Sequence, residues 1–257
     1  RCDKEKVIAF VPQTEDFSYD ENDVMDFFEG KDLDCLVLVN PDNPTGNYIS
    51  RKGMLKLSRW TKEKNIRFLA DESFVDFSEE AEPTLLVEEL LDENPHMIVV
   101  KSISKSYGIP GLRLGVAASG DTDLIGQLKK DVAIWNINSF GEFYMQIEEK
   151  YRKDYNSALD KLRGERTRFA EKLSKLPGVR VFPSQANSLM VELTGKSISA
   201  TEITELLLTR YNLFIKDLSS KISRNGRQFL RIAIRNEAED NILVKALKEI
   251  LAQCSKQ

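Results

Sequence analysis

The chain has one histidine, three cysteines and no apolar run long enough to cross a membrane. The histidine, His96, follows Asn94-Pro95 ahead of an apolar segment and reads as a surface or structural residue. Histidine-based nucleophile triads and zinc sites are therefore poorly supported. Cys2, Cys35 and Cys254 are far apart, odd in number and without metal-type spacing. That usage points to a reducing compartment, hence the cytoplasm, and not to a disulfide framework. Neither sign of charge dominates: 37 Lys and Arg stand against 41 Asp and Glu, a net charge of -4, which gives no electrostatic reason to expect nucleic acid. Runs such as Lys161-Leu162-Arg163 alternate with acids and read as solvated helix faces. No signal peptide, internal repeat or low-complexity tract is visible, and the opening Arg1-Cys2-Asp3 reads as the start of a fragment.

What is present is ordinary in bulk and specific in order. With 257 residues, 41% hydrophobic and 30% charged, the chain can bury one large core or two unequal ones. Residues 7–11 and 35–39 are short apolar runs expected to be buried strands. A helix is expected over 51–64 with Ser50 as its N-cap. Strands follow at 67–70, ending at Asp71, at 97–101, ending at Ser102, and at 112–118. This rhythm predicts an α/β layer with a largely parallel sheet, and such sheets bind ligands at the carboxyl ends of their strands. Residues 40–43, Asp71 and 102–105 all follow strand ends and can meet at one rim. Residues 139–176 are helical in pattern and free of proline, which predicts a long helix pair joining two lobes, stopped by Pro177-Gly178. Beyond it, strands at 179–182, 187–193, 213–216 and 229–235 and helices at 200–211 and 237–253 predict an α+β lobe.

Lys105 lies in Ser102-Ile103-Ser104-Lys105-Ser106-Tyr107-Gly108-Ile109-Pro110-Gly111-Leu112-Arg113, between small hydroxyl residues and a glycine-rich turn, with an arginine eight positions on. The pattern suits either a surface loop or a cofactor that is both aldehyde and phosphate, such as pyridoxal phosphate. The amine can form a Schiff base, while Ser102 and Arg113 offer a hydroxyl and a guanidinium fork to the phosphate. In Asn40-Pro41-Asp42-Asn43-Pro44-Thr45-Gly46, the segment is either a plain turn or the carrier of an Asn43 amide that donates to a phenolate oxygen. Asp71 is either a turn cap or the partner of a pyridinium nitrogen, which keeps the ring an electron sink. In Phe229-Leu230-Arg231-Ile232-Ala233-Ile234-Arg235, alternation puts Arg231 and Arg235 on one strand face. Their partner is either a substrate carboxylate or an internal acid.

Taken in order and spacing, these segments closely resemble the fold-type I pyridoxal-phosphate-dependent aminotransferases (class I/II) over essentially the whole chain. The nearest branch is that of histidinol-phosphate aminotransferase and threonine-phosphate decarboxylase. The resemblance implies an α/β, aspartate aminotransferase-like PLP-dependent transferase fold. Its partial large domain, with a mostly parallel sheet, would span residues 1–145, and an α+β small domain including the linking helix residues 146–257. It makes Lys105 and Asp71 the catalytic pair, with Asn43, Asp71, Ser102, Ser104, Lys105 and Arg113 around pyridoxal 5'-phosphate. Arg231 and Asn187, the latter in Ser184-Gln185-Ala186-Asn187-Ser188, would face the substrate. The activity implied first is transamination between an amino acid and a 2-oxo acid. Decarboxylation of a phosphorylated amino acid, or an inactive fragment serving as an interaction module, are the alternatives. The full-length protein would be a homodimer acting on small molecules, without nucleic acid or membrane partners.

Two departures stand out. Phe74 occupies a position where many members carry a tyrosine that bonds the same phenolate oxygen as Asn43. Members also have roughly a hundred or more further residues upstream. Those residues supply an arm, a phosphate loop and a stacking aromatic, so the cofactor cup of these 257 residues is expected to be incomplete. Lys216, in Phe214-Ile215-Lys216, is either a contact for an anionic substrate end or a solvated strand-edge lysine.

Overall fold

The computed structural model describes residues 7–195, 198–222 and 224–254, with the side chain of Cys254 left out. The opening residues, with Cys2, lie outside them. The first lobe is built on a sheet ordered β1 (Cys35–Val39), β2 (Arg67–Asp71), β3 (Met97–Ser102) and β4 (Gly115–Ala118). β1, β2 and β3 run parallel and β4 pairs antiparallel to β3. The crossover helix α2 (Arg51–Glu63) begins where Ser50 Oγ accepts the Gly53 N–H at 3.2 Å. Its buried Met54, Leu57 and Thr61 recur at helical spacing and face the sheet core of Leu36, Leu38, Phe68, Ala70, Met97 and Val99. Helix α1 (Glu21–Phe28) closes the same core with Val24 and Phe28, and starts in a reciprocal capping box between Asp20 and Asp23. Helix α3 (Glu88–Glu93) precedes β3, and α4 (Thr122–Asp131) follows β4.

Two expectations for this lobe need correction. Residues 7–11 form no strand: Val7, Ile8 and Val11 are exposed, and only Phe10 packs, edge-on to Tyr19 and Phe27. An apolar run becomes a strand only when another strand pairs with it, and among the described residues none does. β1 is buried on one face alone, since Leu36 and Leu38 are covered while Val37 is 60% exposed. Alternating exposure of this kind is what helices on a single side of a sheet produce.

The second lobe carries an antiparallel sheet ordered β5 (Val179–Val181), β6 (Ser188–Leu193), β8 (Gln228–Ala233), β7 (Lys216–Asp217). Helices α7 (Ala200–Tyr211) and α8 (Glu237–Cys254) cover it, together with the far half of α6 (Arg152–Ser174). The expected proline-free helix pair is two helices, α5 (Ser139–Ile147) and α6, separated by a 3-10 turn at Glu148–Tyr151. α6 ends ahead of Pro177 and Gly178, which sits at φ +76°, a conformation open to glycine at little cost. β7 is shorter than expected. β8 also stops at Ala233, so Arg235 leaves the strand and pairs with Glu239 at 2.8 Å, the internal-acid alternative.

At the contact of α6 with α8, the buried Asp240 carboxyl faces Glu165. Burial, then that neighbouring carboxyl, pushes its pKa up to about 7. A carboxyl held above its unfolded value contributes stability at low pH that is lost as pH rises toward the folded pKa. Asp240→Asn therefore should gain melting temperature relative to the parent between about pH 5 and about pH 8, checked by thermal unfolding at each pH. A constant difference across that window would count against the assignment.

Candidate active site

The parallel register ends β1, β2 and β3 at one edge, where Asp71, Ser102 and the turn after β1 lie. Asp71 is the last residue of β2, Ser102 the last of β3, and Asn40 follows β1 with its N–H on the Asp71 carbonyl at 2.9 Å. Ser73, which carried no expectation of its own, stitches two of these ends together. Its N–H donates to Asp71 Oδ1 at 2.9 Å, and its Oγ accepts the Ser102 N–H at 3.0 Å. Ser73 is buried, so this relay fixes the Asp71 carboxylate relative to the lysine turn. The signal for it was a hydroxyl residue two positions after a strand-end aspartate, the pattern of an Asx turn. Beside Asp71, Glu72 is buried and accepts from Thr84 Oγ1 at 2.6 Å and the Leu85 N–H at 2.7 Å, and burial pushes its pKa up.

Lys105 projects from the turn after β3 with an exposed side chain, and its Nζ lies 4.3 Å from the centroid of the buried Phe74 ring. An ammonium over an aromatic face is a favourable electrostatic contact. Phe74 thus packs under the lysine where a tyrosine would present a hydroxyl. Ser104 is buried, with Oγ on the Leu114 carbonyl at 3.4 Å. Arg113 is exposed and sits in left-handed backbone, φ +57°, with Nη1 on the Pro110 carbonyl at 3.2 Å. Such backbone is costly for a residue with a Cβ and persists where the surroundings impose it.

The second lobe reaches the rim through Arg231, whose Nη1 donates to Asn43 Oδ1 at 2.6 Å. The polar partner of this half-buried arginine is a neutral amide, not a carboxylate. Cross-strand pairing sets Lys216 directly opposite Arg231, which puts both cations on one sheet face. Asn187 lies at the start of β6, its carbonyl accepting the Ile234 N–H at 3.0 Å. His96, just before β3, has its Nε2 2.9 Å from the Ser58 carbonyl and 3.2 Å from Thr61 Oγ1, a structural position against α2.

These positions form a carboxylate, an amine, a hydroxyl, a guanidinium and an amide around one strand edge, a donor set that fits pyridine nitrogen, aldehyde, phosphate and phenolate oxygen. The fold is that of the pyridoxal-phosphate-dependent enzymes of the aminotransferase type. Residues 6–247 match the family model described as aminotransferase class I and II, and the chain belongs to that family, whose cofactor is pyridoxal 5'-phosphate. It is similar to the L-serine phosphate decarboxylase of Sulfurospirillum multivorans, 36% identical over 251 residues, covering 95% of this chain and 63% of that protein. It is also similar to the CMP-5'-(3-aminopropyl)phosphonate synthase of Streptomyces rubellomurinus, 34% identical over 247 residues, covering 96% of this chain and 39% of that one. The solved structure of a decarboxylase from S. multivorans superposes with a TM-score of 0.82 at 36% identity, covering 92% of this chain and 67% of that one. The expected branch is represented among its relatives by threonine-phosphate decarboxylase and histidinol-phosphate aminotransferase. The chain spans less than two thirds of the length of the two curated relatives described above.

The two lobes meet where Gly46, at φ +77°, lies against Ser184, and the Gly46 carbonyl accepts the Gln185 N–H at 2.9 Å. A Cβ at position 46 would come within 2.9 Å of Ser184 Cα and closer still to its side chain. Gly46→Ala should cost roughly 1–3 kcal/mol of stability by denaturant unfolding, through left-handed strain and this clash. Ser184→Gly in the same chain should recover part of the loss, and full additivity of the two changes would refute the contact.

Proposed function

We propose that the full-length protein is a pyridoxal-phosphate-dependent decarboxylase of a phosphorylated small amino acid, of the L-serine phosphate type. The observation that carries this reading is the pairing of Lys216 with Arg231 across β7 and β8. Two cations on one face suit a substrate with two anionic groups. Similarity to the L-serine phosphate decarboxylase supports the same chemistry. Asn43, Asp71, Ser102, Ser104, Lys105 and Arg113 would hold the cofactor, and Arg231, Lys216 and Asn187 the substrate. The site would lie where a cofactor-holding domain over residues 1–145 meets a small domain over residues 146–257. The reading carries with it a cytoplasmic homodimer, the arrangement the family resemblance implies.

When bound, pyridoxal phosphate supplies the electron sink that lets a bond at the substrate α-carbon break heterolytically. The residues of this chain decide which bond. Loss of carbon dioxide needs the carboxylate perpendicular to the pyridine ring. A second cation beside Arg231 allows the substrate to be held by its phosphate while that bond turns out of the ring plane. Asp71 would face the ring nitrogen, and the Asn43 amide would donate at the phenolate. Lys105 would anchor the cofactor by its amine and, once free, would return a proton to the α-carbon in place of the lost carboxylate.

Transamination, the activity implied first by the family resemblance, is the second reading, and the family's description favours it. It uses the same residues with the Cα–H bond perpendicular and Lys105 as the base. Incubating the full-length protein with L-serine phosphate, with and without a 2-oxo acid, separates the two. Carbon dioxide release without an acceptor is expected, whereas turnover only with an acceptor would sink the decarboxylase reading. Lys105→Ala should abolish turnover in either case. Lys216→Ala should raise KM for the phosphorylated substrate by about tenfold or more, the usual cost of losing a charge-assisted contact. An unchanged KM would remove Lys216 from the site.

A further inference from the structure

The turn that carries Lys105 is held mainly by short local bonds, Tyr107 N–H to Ile103 O at 3.1 Å, Gly108 N–H to Lys105 O at 3.2 Å and Ile109 N–H to Ser104 O at 3.1 Å. What fixes it against the rest of the molecule is aromatic. The Tyr107 ring stacks on Tyr155 of α6, centroids 4.2 Å apart and planes 16° off parallel, and meets Tyr144 of α5 edge-on at 6.4 Å. One face of α6 carries, in succession, Tyr155, Leu159, Arg163 and Arg166. Leu159 packs with Phe74, Phe77 and Ala186. Arg163 Nη2 donates to the Asp76 carbonyl at 2.9 Å. The buried Arg166 donates to the Phe77 carbonyl at 2.8 Å, to Glu79 Oε1 at 2.8 Å and to the Ala186 carbonyl at 3.2 Å. A single helix therefore touches the lysine turn, the segment after Asp71 and the residue preceding Asn187.

We infer that Tyr155 is a positioning residue for Lys105, and that through its stack on Tyr107 the interlobe helix, rather than the turn itself, sets where the lysine amine points. The inference rests on the reading of Lys105 as the lysine that anchors the cofactor. The polar surroundings agree with it. The Tyr155 hydroxyl and Ser106 Oγ are both buried without a hydrogen-bond partner among the described residues, next to an ion pair of Lys101 Nζ with Asp76 Oδ1 at 2.5 Å. Burial, and then the Asp76 charge, push the Tyr155 phenol well up, so it remains a neutral ring capable of stacking. A buried hydroxyl without a partner adds no bond that could anchor the turn, so the ring is the part that holds it. Stacked aromatic pairs stabilise beyond the area they bury, which is enough to order a turn with few other anchors.

The test compares Tyr155→Phe, which keeps the stack, with Tyr155→Leu, which removes it. Leu173→Ala, in the separate core of the second lobe, serves as a control for general destabilisation. Backbone amide exchange over residues 105–109 should quicken by about tenfold or more in Tyr155→Leu and stay at the parental rate in Tyr155→Phe and Leu173→Ala. With pyridoxal phosphate bound, the induced circular dichroism of its near-visible band should weaken only in Tyr155→Leu. In that variant kcat should fall about tenfold with KM little changed, the cost of a misaimed group. Unchanged exchange at the turn in Tyr155→Leu overturns the inference. So does an equal loss in Tyr155→Phe, which would assign the role to the hydroxyl. If Tyr155→Leu fails to fold, Tyr107→Leu interrogates the same stack from the turn side. Borohydride reduction and peptide mapping of the labelled lysine test the underlying reading separately. A label elsewhere than Lys105 would sink that reading, while the exchange data would still decide the stack.

Discussion

The parallel register of β1, β2 and β3 is the constraint on which the site depends. Strands that run the same way finish on the same side, and Val39, Asp71 and Ser102 are the residues where these three finish. A carboxylate and a hydroxyl from segments thirty residues apart become neighbours because the backbone ladder leaves no other arrangement. The Ser73 bridge then converts rough proximity into fixed geometry. Everything else at the rim is added from outside this ladder: the lysine turn, the arginine of β8 and the proline-rich turn at Asn43.

Of these additions only Arg231 comes from the second lobe, and the two lobes are joined by few, specific contacts. Gly46 against Ser184, Glu79 N–H on Gln185 Oε1 at 2.7 Å, and Arg166 on the Phe77 and Ala186 carbonyls join the lobes with backbone groups. Phe17 adds an apolar pin. It is buried among Phe182, Met190, Leu218 and Phe229 of the second lobe, although it precedes α1 of the first. Arg224 and Arg227 close over its ring while holding the carbonyls of Gln13, Thr14 and Glu15. The lobes thus have separate main cores and a seam of backbone hydrogen bonds and small apolar clusters, a division that suits a ligand site at their junction.

Much of this was legible in the sequence, for reasons that differ by element. α7 is as expected because its signals are local: Ser199 caps it, Glu202 completes the box and Asn212 ends it in left-handed backbone. β2 and β3 were legible as apolar runs ending in polar residues. Residues 7–11 were misread because strand formation is a property of a pair, and no local signal reports the partner. Arg235 was placed on a strand because alternation continues past Ala233, while the fold gives that residue to Glu239. α1 drew no expectation, although Asp20 and Asp23 flank its start in the spacing of a capping box and Val24 and Phe28 stand one turn apart. At the site, the residue types were readable and the connections were not. Neither Ser73 between Asp71 and Ser102 nor Tyr155 behind Tyr107 has a sequence signature that ties it to a position so far along the chain.

The hydrogen bond between Arg231 and Asn43 has a thermodynamic side. A guanidinium waiting in solution loses rotamer freedom when an anion captures it, whereas one already held across the lobe junction has lost it during folding. On the proposed reading, an arriving carboxylate would exchange one acceptor for a better one, with the ordering cost already met by the fold. Recognition at this face would then be a matter of substitution at a prepared cation, and selectivity would fall to whichever groups of the ligand the neighbouring edge strand can reach.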